Sequence, residues 1–213
     1  TTPPEPIRAA RFLWCLDNGH GEDTLGKRSP EFELDGITVQ FFEYEFNRDI
    51  VGRIIAGLRE RGIQYTNVVP EIEDITLQER TNRANRLHRN GQLPVIFVSV
   101  HSNAAVPAPG SNWTPAHGIE TWHHKNSSNG KKIAGVFQKH LIQATGWRNR
   151  KLKTTALRNL FVLNKTVMPA VLTENGFFNN KEEVKKLMRD DVRQAIADAH
   201  IAAIFEIERN GIV

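Results

Sequence analysis

The chain has 213 residues, 39% of them hydrophobic and 24% charged, which fits one domain with a substantial core and excludes a low-complexity protein. No apolar run reaches the span of a membrane helix, and a single cysteine, Cys15, excludes an internal disulfide framework. The excess of 28 Lys and Arg over 24 Asp and Glu, net +4, favours an anionic partner, but the basic residues are too dispersed for a nucleic-acid face.

Residues 1–10 form a polar, proline-rich lead-in. The chain opens on Thr1, so the lack of an apolar leader says nothing about its destination. Residues 12–16 read as a buried strand that delivers the polar stretch Asp17, Asn18, Gly19, His20, Gly21. Residues 31–40 carry Asp35-Gly36 between alternating side chains, a hairpin signal. From Glu43 the period changes, and Ile50, Val51, Ile54, Ile55 and Leu58 form one helical stripe stopped near Gly62. Residues 64–69 read as a strand ended by Pro70. Thr76 and Glu79 match a capping box that opens a helix running to about Arg89. Along it Arg80, Arg83, Arg86 and Arg89 recur every three residues, which reads as a solvated face with local acidic partners.

Residues 93–100 are continuous enough for a central strand buried on both faces, and they deliver His101. A Pro/Gly/Asn loop over 106–115 precedes a strand over 118–123 and a helix marked by Ile133, Val136, Phe137 and Leu141. Arg148 to Lys153 reads as a basic irregular piece, and residues 160–163 as a short strand. Residues 169–173 form another strand and deliver Glu174. Asn180 can cap a helix to about Met188, and a last helix runs from Asp190 to Asn210. Strands alternating with helices predict a single α/β domain over residues 11–213. Its sheet should be mostly parallel, mixed on account of the hairpin, with helices on both faces.

Three polar groups follow buried strands directly: His20, His101 and Glu174. Ligands of open α/β sheets bind beyond the carboxyl ends of strands, so these three belong to one candidate crevice. Two histidines from distant segments suggest a metal, and catalytic zinc sites often take two His and a carboxylate. Glu43, where the hairpin hands over to the first helix, leads the carboxylate candidates over Glu45, Asp17 and Asp23. Glu174 then remains for general base and acid work. His117, His123 and His124 make a weaker metal candidate, and His88, His140 and His200 lie on helix patterns as surface or packing residues.

Residues 17–23, with the order Asp, Asn, Gly, His, Gly, Glu, Asp, resemble the D-x-G-H-G-x-D opening of zinc-dependent N-acetylmuramoyl-L-alanine amidases, often called amidase type 3. The helix start at Glu43 with Asn47 and Ile50, the Ser99-Val100-His101-Ser102-Asn103-Ala104 segment, Gly118-Ile119-Glu120, and Pro169 to Gly176 with Phe177 and Asn180 are similar to further motifs of that family, in order. Leu77 with Arg80, Ala84 and Asn85 adds the family's L-x-x-R…A-N helix.

The resemblance implies a sheet of about six strands and one Zn²⁺ held by His20, Glu43 and His101, with Glu174 catalytic. It implies peptidoglycan as partner, no nucleic acid and no membrane insertion, and action at the cell envelope, periplasmic or secreted, or as a phage lysin. The bond cut would join the lactyl group of N-acetylmuramic acid to L-alanine of the stem peptide. Asn103, Asn175, Arg28 and Arg150 are the candidate substrate contacts. Glu22 and residues 67–70 and 149–153 depart from the family pattern. Residues 106–115 are too short for the inhibitory helix some members carry, so an open site is expected. The rivals are a zinc carboxypeptidase and a non-catalytic peptidoglycan-binding protein; the retained Glu174 argues against the second.

Overall fold

A two-residue alternation sets the layers of the computed structural model, which describes residues 9–213. In β1 (Leu13–Asn18), Trp14 and Leu16 join the core on one side of the sheet and Cys15 the core on the other, as strand geometry requires. The hairpin β2 (Phe32–Leu34) and β3 (Ile37–Val39) turns through Asp35 and Gly36, at φ 52° and 79°, the paired positive φ of a tight hairpin turn. It stands as its own two-stranded sheet. After α1 (Glu43–Glu60) come β4 (Tyr65–Asn67), α2 (Leu77–Asn90), β5 (Val95–Asn103) and β6 (Ile119–His123). Then follow α3 (Ser128–Thr145), β7 (Asn149–Thr154), α4 (Phe161–Lys165), β8 (Ala170–Phe177), α5 (Lys181–Leu187) and α6 (Asp190–Asn210).

The main sheet has six strands in the order β4-β1-β5-β8-β6-β7. Every neighbouring pair is parallel except β6 with β8. The sheet is therefore mixed because of β6, not because of the hairpin. Helices α1, α3 and α6 pack on one face, where Ile50, Ile54, Phe137, Ile196 and Ile204 are fully buried. The other face is covered by α2 and α4 through Ala84, Val162 and Leu163. Thr76 caps α2 by accepting from the Glu79 amide, and Asn180 caps α5 by accepting from the amides of Glu182 and Glu183.

Three further expectations fail. Residues 149–154 are a strand, β7, at the sheet edge. Its exposed Lys151 and neighbouring basic side chains are what an edge tolerates and what keeps other strands from pairing there. Residues 160–163 are not a strand: they enter α4, where consecutive Val162 and Leu163 are both buried against α2 and the sheet. Arg80 is not on a solvated face, being 1% exposed. Arg83 and Arg86 do follow the expectation, pairing with Glu71 and Glu79.

Candidate functional site

The C-terminal ends of β1, β5 and β8 meet the N-terminal end of β6 at one rim of the sheet. The first arm of the site leaves β1 through Gly19, whose amide donates to the Val100 carbonyl, and whose carbonyl accepts from the Asn47 amide on α1 at 2.9 Å. His20 follows in the left-handed region at φ 66°, a conformation that L side chains adopt only where the surroundings impose it. Two guanidinium groups do so. Arg48 donates to the His20 carbonyl at 2.8 Å, and Arg80 donates to the same oxygen at 3.3 Å. Gly21 passes so close to the backbone of Asp74 that a Cβ would overlap it. The Glu22 amide donates to the Ile72 carbonyl, while the Asp74 amide donates to Asp23. The loop that departs from the family pattern at Glu22 is thus stitched to residues 72–74.

Arg80 organises this arm from beneath. Beyond the His20 carbonyl it donates to Asp17 at 2.6 Å, to the Asn18 and Ile75 carbonyls, and to Asp74. Asp17 also accepts from the Ser99 hydroxyl on β5. A buried guanidinium with its fork filled has no donor left over, so its charge is balanced where it stands.

Glu43 opens α1, where the unpaired amides of a helix N-terminus favour a negative charge. Its Oε1 accepts from the Ser102 amide and lies 2.9 Å from His101 Nδ1. Its Oε2 is buried without a hydrogen bond and lies 3.4 Å from His20 Nε2. One ligand atom from each of His20, Glu43 and His101 falls within 4.8 Å of the others, a cluster that could hold a metal ion. The two imidazoles meet edge to face with centroids 4.9 Å apart. Burial pushes His20 down to about 4, which keeps it neutral, the form that can bind a metal. Burial also opposes protonation of His101, but the hydrogen bond and charge of Glu43 outweigh it and the net direction is upward. Burial opposes the charge of Glu43 as well, yet its His101 hydrogen bond and the two imidazoles hold it below the usual carboxylate range. Glu45, the rival carboxylate, is exposed and beside Tyr44. Asp17 is taken up by Arg80.

His101, Glu174 and Glu120 stand side by side on β5, β8 and β6. Glu174 is 7% exposed, and its Oε2 has no hydrogen-bond partner. Burial pushes its carboxyl up to about 7; His101 opposes this, and the charges of Glu43 and Glu120 add to it. Glu120 is spoken for. It accepts from Asn103 at 3.1 Å, from the Trp122 indole at 3.0 Å and from Arg150 at 2.8 Å. The cluster and Glu174 open on a cleft of about 700 Å³, whose lining also includes Ile75, Leu77, Arg158, Leu160 and Phe161. Among the described residues no helix lies over it from 104–118.

The four candidate substrate contacts divide. Asn103 lines the cleft, held by Glu120. Asn175 is fully buried and donates to the His101 carbonyl at 2.9 Å. One residue past Glu174, strand alternation turns it to the α6 face. Arg150 lies over the Phe177 ring and is paired with Glu120, and Arg28 is exposed and does not line the cleft, although its neighbour Lys27 does. The cations that line the cleft are Lys27, Arg80 and Arg158, none of them singled out as a contact from the sequence. His117, His123 and His124 do not converge on a metal position; His123 Nδ1 faces the His124 carbonyl.

A sequence model of the family described as N-acetylmuramoyl-L-alanine amidase matches residues 15–206. The chain is 29% identical over 193 residues to the N-acetylmuramoyl-L-alanine amidase LytC of Bacillus subtilis, covering 88% of this chain and 34% of that protein. It is also 29% identical over 202 residues to the endolysin of Bacillus phage SPP1, covering 93% of this chain and 66% of that protein. Among solved structures, the N-acetylmuramoyl-L-alanine amidase from Clostridium difficile 630 superposes with a TM-score of 0.78 at 23% identity, covering 95% of this chain and all of the other, so the fold is shared. Matched over most of its length, this chain belongs to the N-acetylmuramoyl-L-alanine amidase family.

Proposed function

We propose that residues 11–213 are a zinc-dependent catalytic domain that hydrolyses the amide between the lactyl group of N-acetylmuramic acid and L-alanine of the peptidoglycan stem peptide. The observation that supports this best is the convergence of His20, Glu43 and His101 beside the orphaned Oε2 of Glu174. The donor set fits zinc: two imidazole nitrogens and one carboxylate oxygen suit a catalytic zinc with an open position, whereas calcium and magnesium take oxygen ligands. Glu43 Oε2, buried and without a hydrogen bond, is the atom such an ion would satisfy.

When bound, zinc supplies a Lewis acid that activates water and polarises the scissile carbonyl. The remaining work belongs to the protein. Glu174, raised to about 7 by burial, can take a proton near neutral pH and give it to the leaving nitrogen, a role typically worth about 10²–10⁴ in rate. Asn103, fixed through Glu120, presents its amide to the cleft. Arg80 and Asn47 hold the backbone on either side of His20 so that its ring needs no reorganisation. Peptidoglycan as substrate puts the action at the cell wall, by a secreted or periplasmic enzyme or a released phage lysin.

A carboxypeptidase of the same metal class would need an arginine on the cleft, and Arg158 stands there. The products therefore decide. Mass spectrometry of digested wall should find unmodified glycan and peptides that begin at L-alanine. Shortened stems still attached to glycan would refute the amidase.

A further inference from the structure

Glu174 divides the cleft by chemistry. A general acid faces the leaving nitrogen, and in the amidase reading, on which this inference rests, that nitrogen belongs to the stem peptide. The part of the cleft beyond Glu174 must then receive the peptide, while the side of His20, Glu43 and Lys27 receives the lactyl end.

The cleft cation whose charge acts on Glu174 is Arg158, on the segment joining β7 to α4, whereas that of Lys27 acts on His20 and Glu43. The other arginine that lines the cleft, and two that stand close to its carboxylates and loop, are occupied. Arg80 fills its fork with Asp17, Asp74 and carbonyls. Arg48 donates to the carbonyls of His20, Glu71 and Ile72, and Arg150 is paired with Glu120. Arg158 is exposed, faces the cleft and has no ion pair or hydrogen bond among the described residues. Its charge reaches Glu174, where it works against the upward push of burial. Leu160 and Phe161, which follow it closely in the chain, and Ile75 and Leu77 line the same cleft, so apolar side chains share it with an unpaired guanidinium. Such a lining suits a peptide that carries a free carboxylate, which a guanidinium binds through two parallel hydrogen bonds. We propose that Arg158 is a specificity-determining residue that binds a carboxylate of the stem peptide.

The test uses the zinc-loaded protein and two muramoyl peptides that differ only in one stem carboxylate replaced by its carboxamide. Wild type should prefer the carboxylate form. Arg158→Gln should raise KM for that form about tenfold and erase the preference, and Arg158→Lys should keep part of it. A preference that survives Arg158→Gln, or that wild type lacks, overturns the proposal. Calorimetric titration of the free peptide beginning at L-alanine into wild type and Arg158→Gln supplies a second arm that needs no turnover. If wild type cleaves neither substrate, the amidase reading fails, and weaker binding of the carboxylate peptide by the variant would still support Arg158. Equal binding would overturn it.

Discussion

The ring of His101 lies over the backbone of Gly19, so closely that a Cβ at Gly19 would overlap three atoms of the imidazole. The glycine before His20 is thus set by the next strand: β1 and β5 run in register, and the second imidazole occupies the space a side chain would need. Gly19→Ala should displace one imidazole or the other. Its zinc affinity should fall by at least about tenfold, within the range seen when the supports of a metal ligand are lost. Competition against a chromophoric chelator measures this, and wild-type affinity in the variant would contradict the geometry.

Arg80 and Asp17 form a buried pair, each 1% exposed, 63 residues apart in sequence. Removing one partner strands the other charge. Arg80→Met should cost about 3–5 kcal/mol by urea unfolding. Arg80→Lys should recover less than half of that, because an ammonium cannot span Asp17, Asp74 and the carbonyls that the fork reaches. A variant within 1 kcal/mol of wild type would show that the pair does not hold the His20 loop.

His200 titrates on the opposite face of β8 from Glu174. It is fully buried, its Nδ1 faces the Ile196 carbonyl and its Nε2 the Thr173 hydroxyl. A carbonyl can only accept, so Nδ1 carries the proton and Nε2 accepts from Thr173. Burial pushes the imidazole down to about 4, against about 6.5 when unfolded. Between those values the unfolded chain binds more protons, so this stability is fully present above about 6.5 and is lost as pH falls towards 4. From pH 7 to 5 the loss is on the order of 2 kcal/mol. His200→Gln should be less stable at pH 7, and its deficit should shrink at pH 5. A deficit independent of pH would refute the neutral, buried imidazole.

The sequence made His20, His101 and Glu174 legible because each ends an apolar run long enough to be a buried strand, and such ends converge in an α/β sheet. Glu43 was legible only in part, since residue type and position alone left Glu45 open; the helix start decides, placing Glu43 inward and Glu45 in solvent. Arg80 was misread because a three-residue arginine spacing looks the same whether the partner is water or an aspartate 63 residues away. The strand at Asn149–Thr154 was hidden by its own basic side chains, which suit an edge and defeat an alternation search. A signal for Glu120 did exist: a carboxylate inside an otherwise buried strand candidate must have partners, and it has three.

The central claim is that Glu174 moves the proton while His20, Glu43 and His101 hold one zinc. Its most direct test is the rate at which purified peptidoglycan releases free L-alanine amino termini, with wild type and Glu174→Gln compared at measured metal content. Both proteins should hold one zinc per chain, and the variant's rate should be reduced about 10²–10⁴-fold. An unreduced rate in a variant that still holds its zinc would contradict the claim.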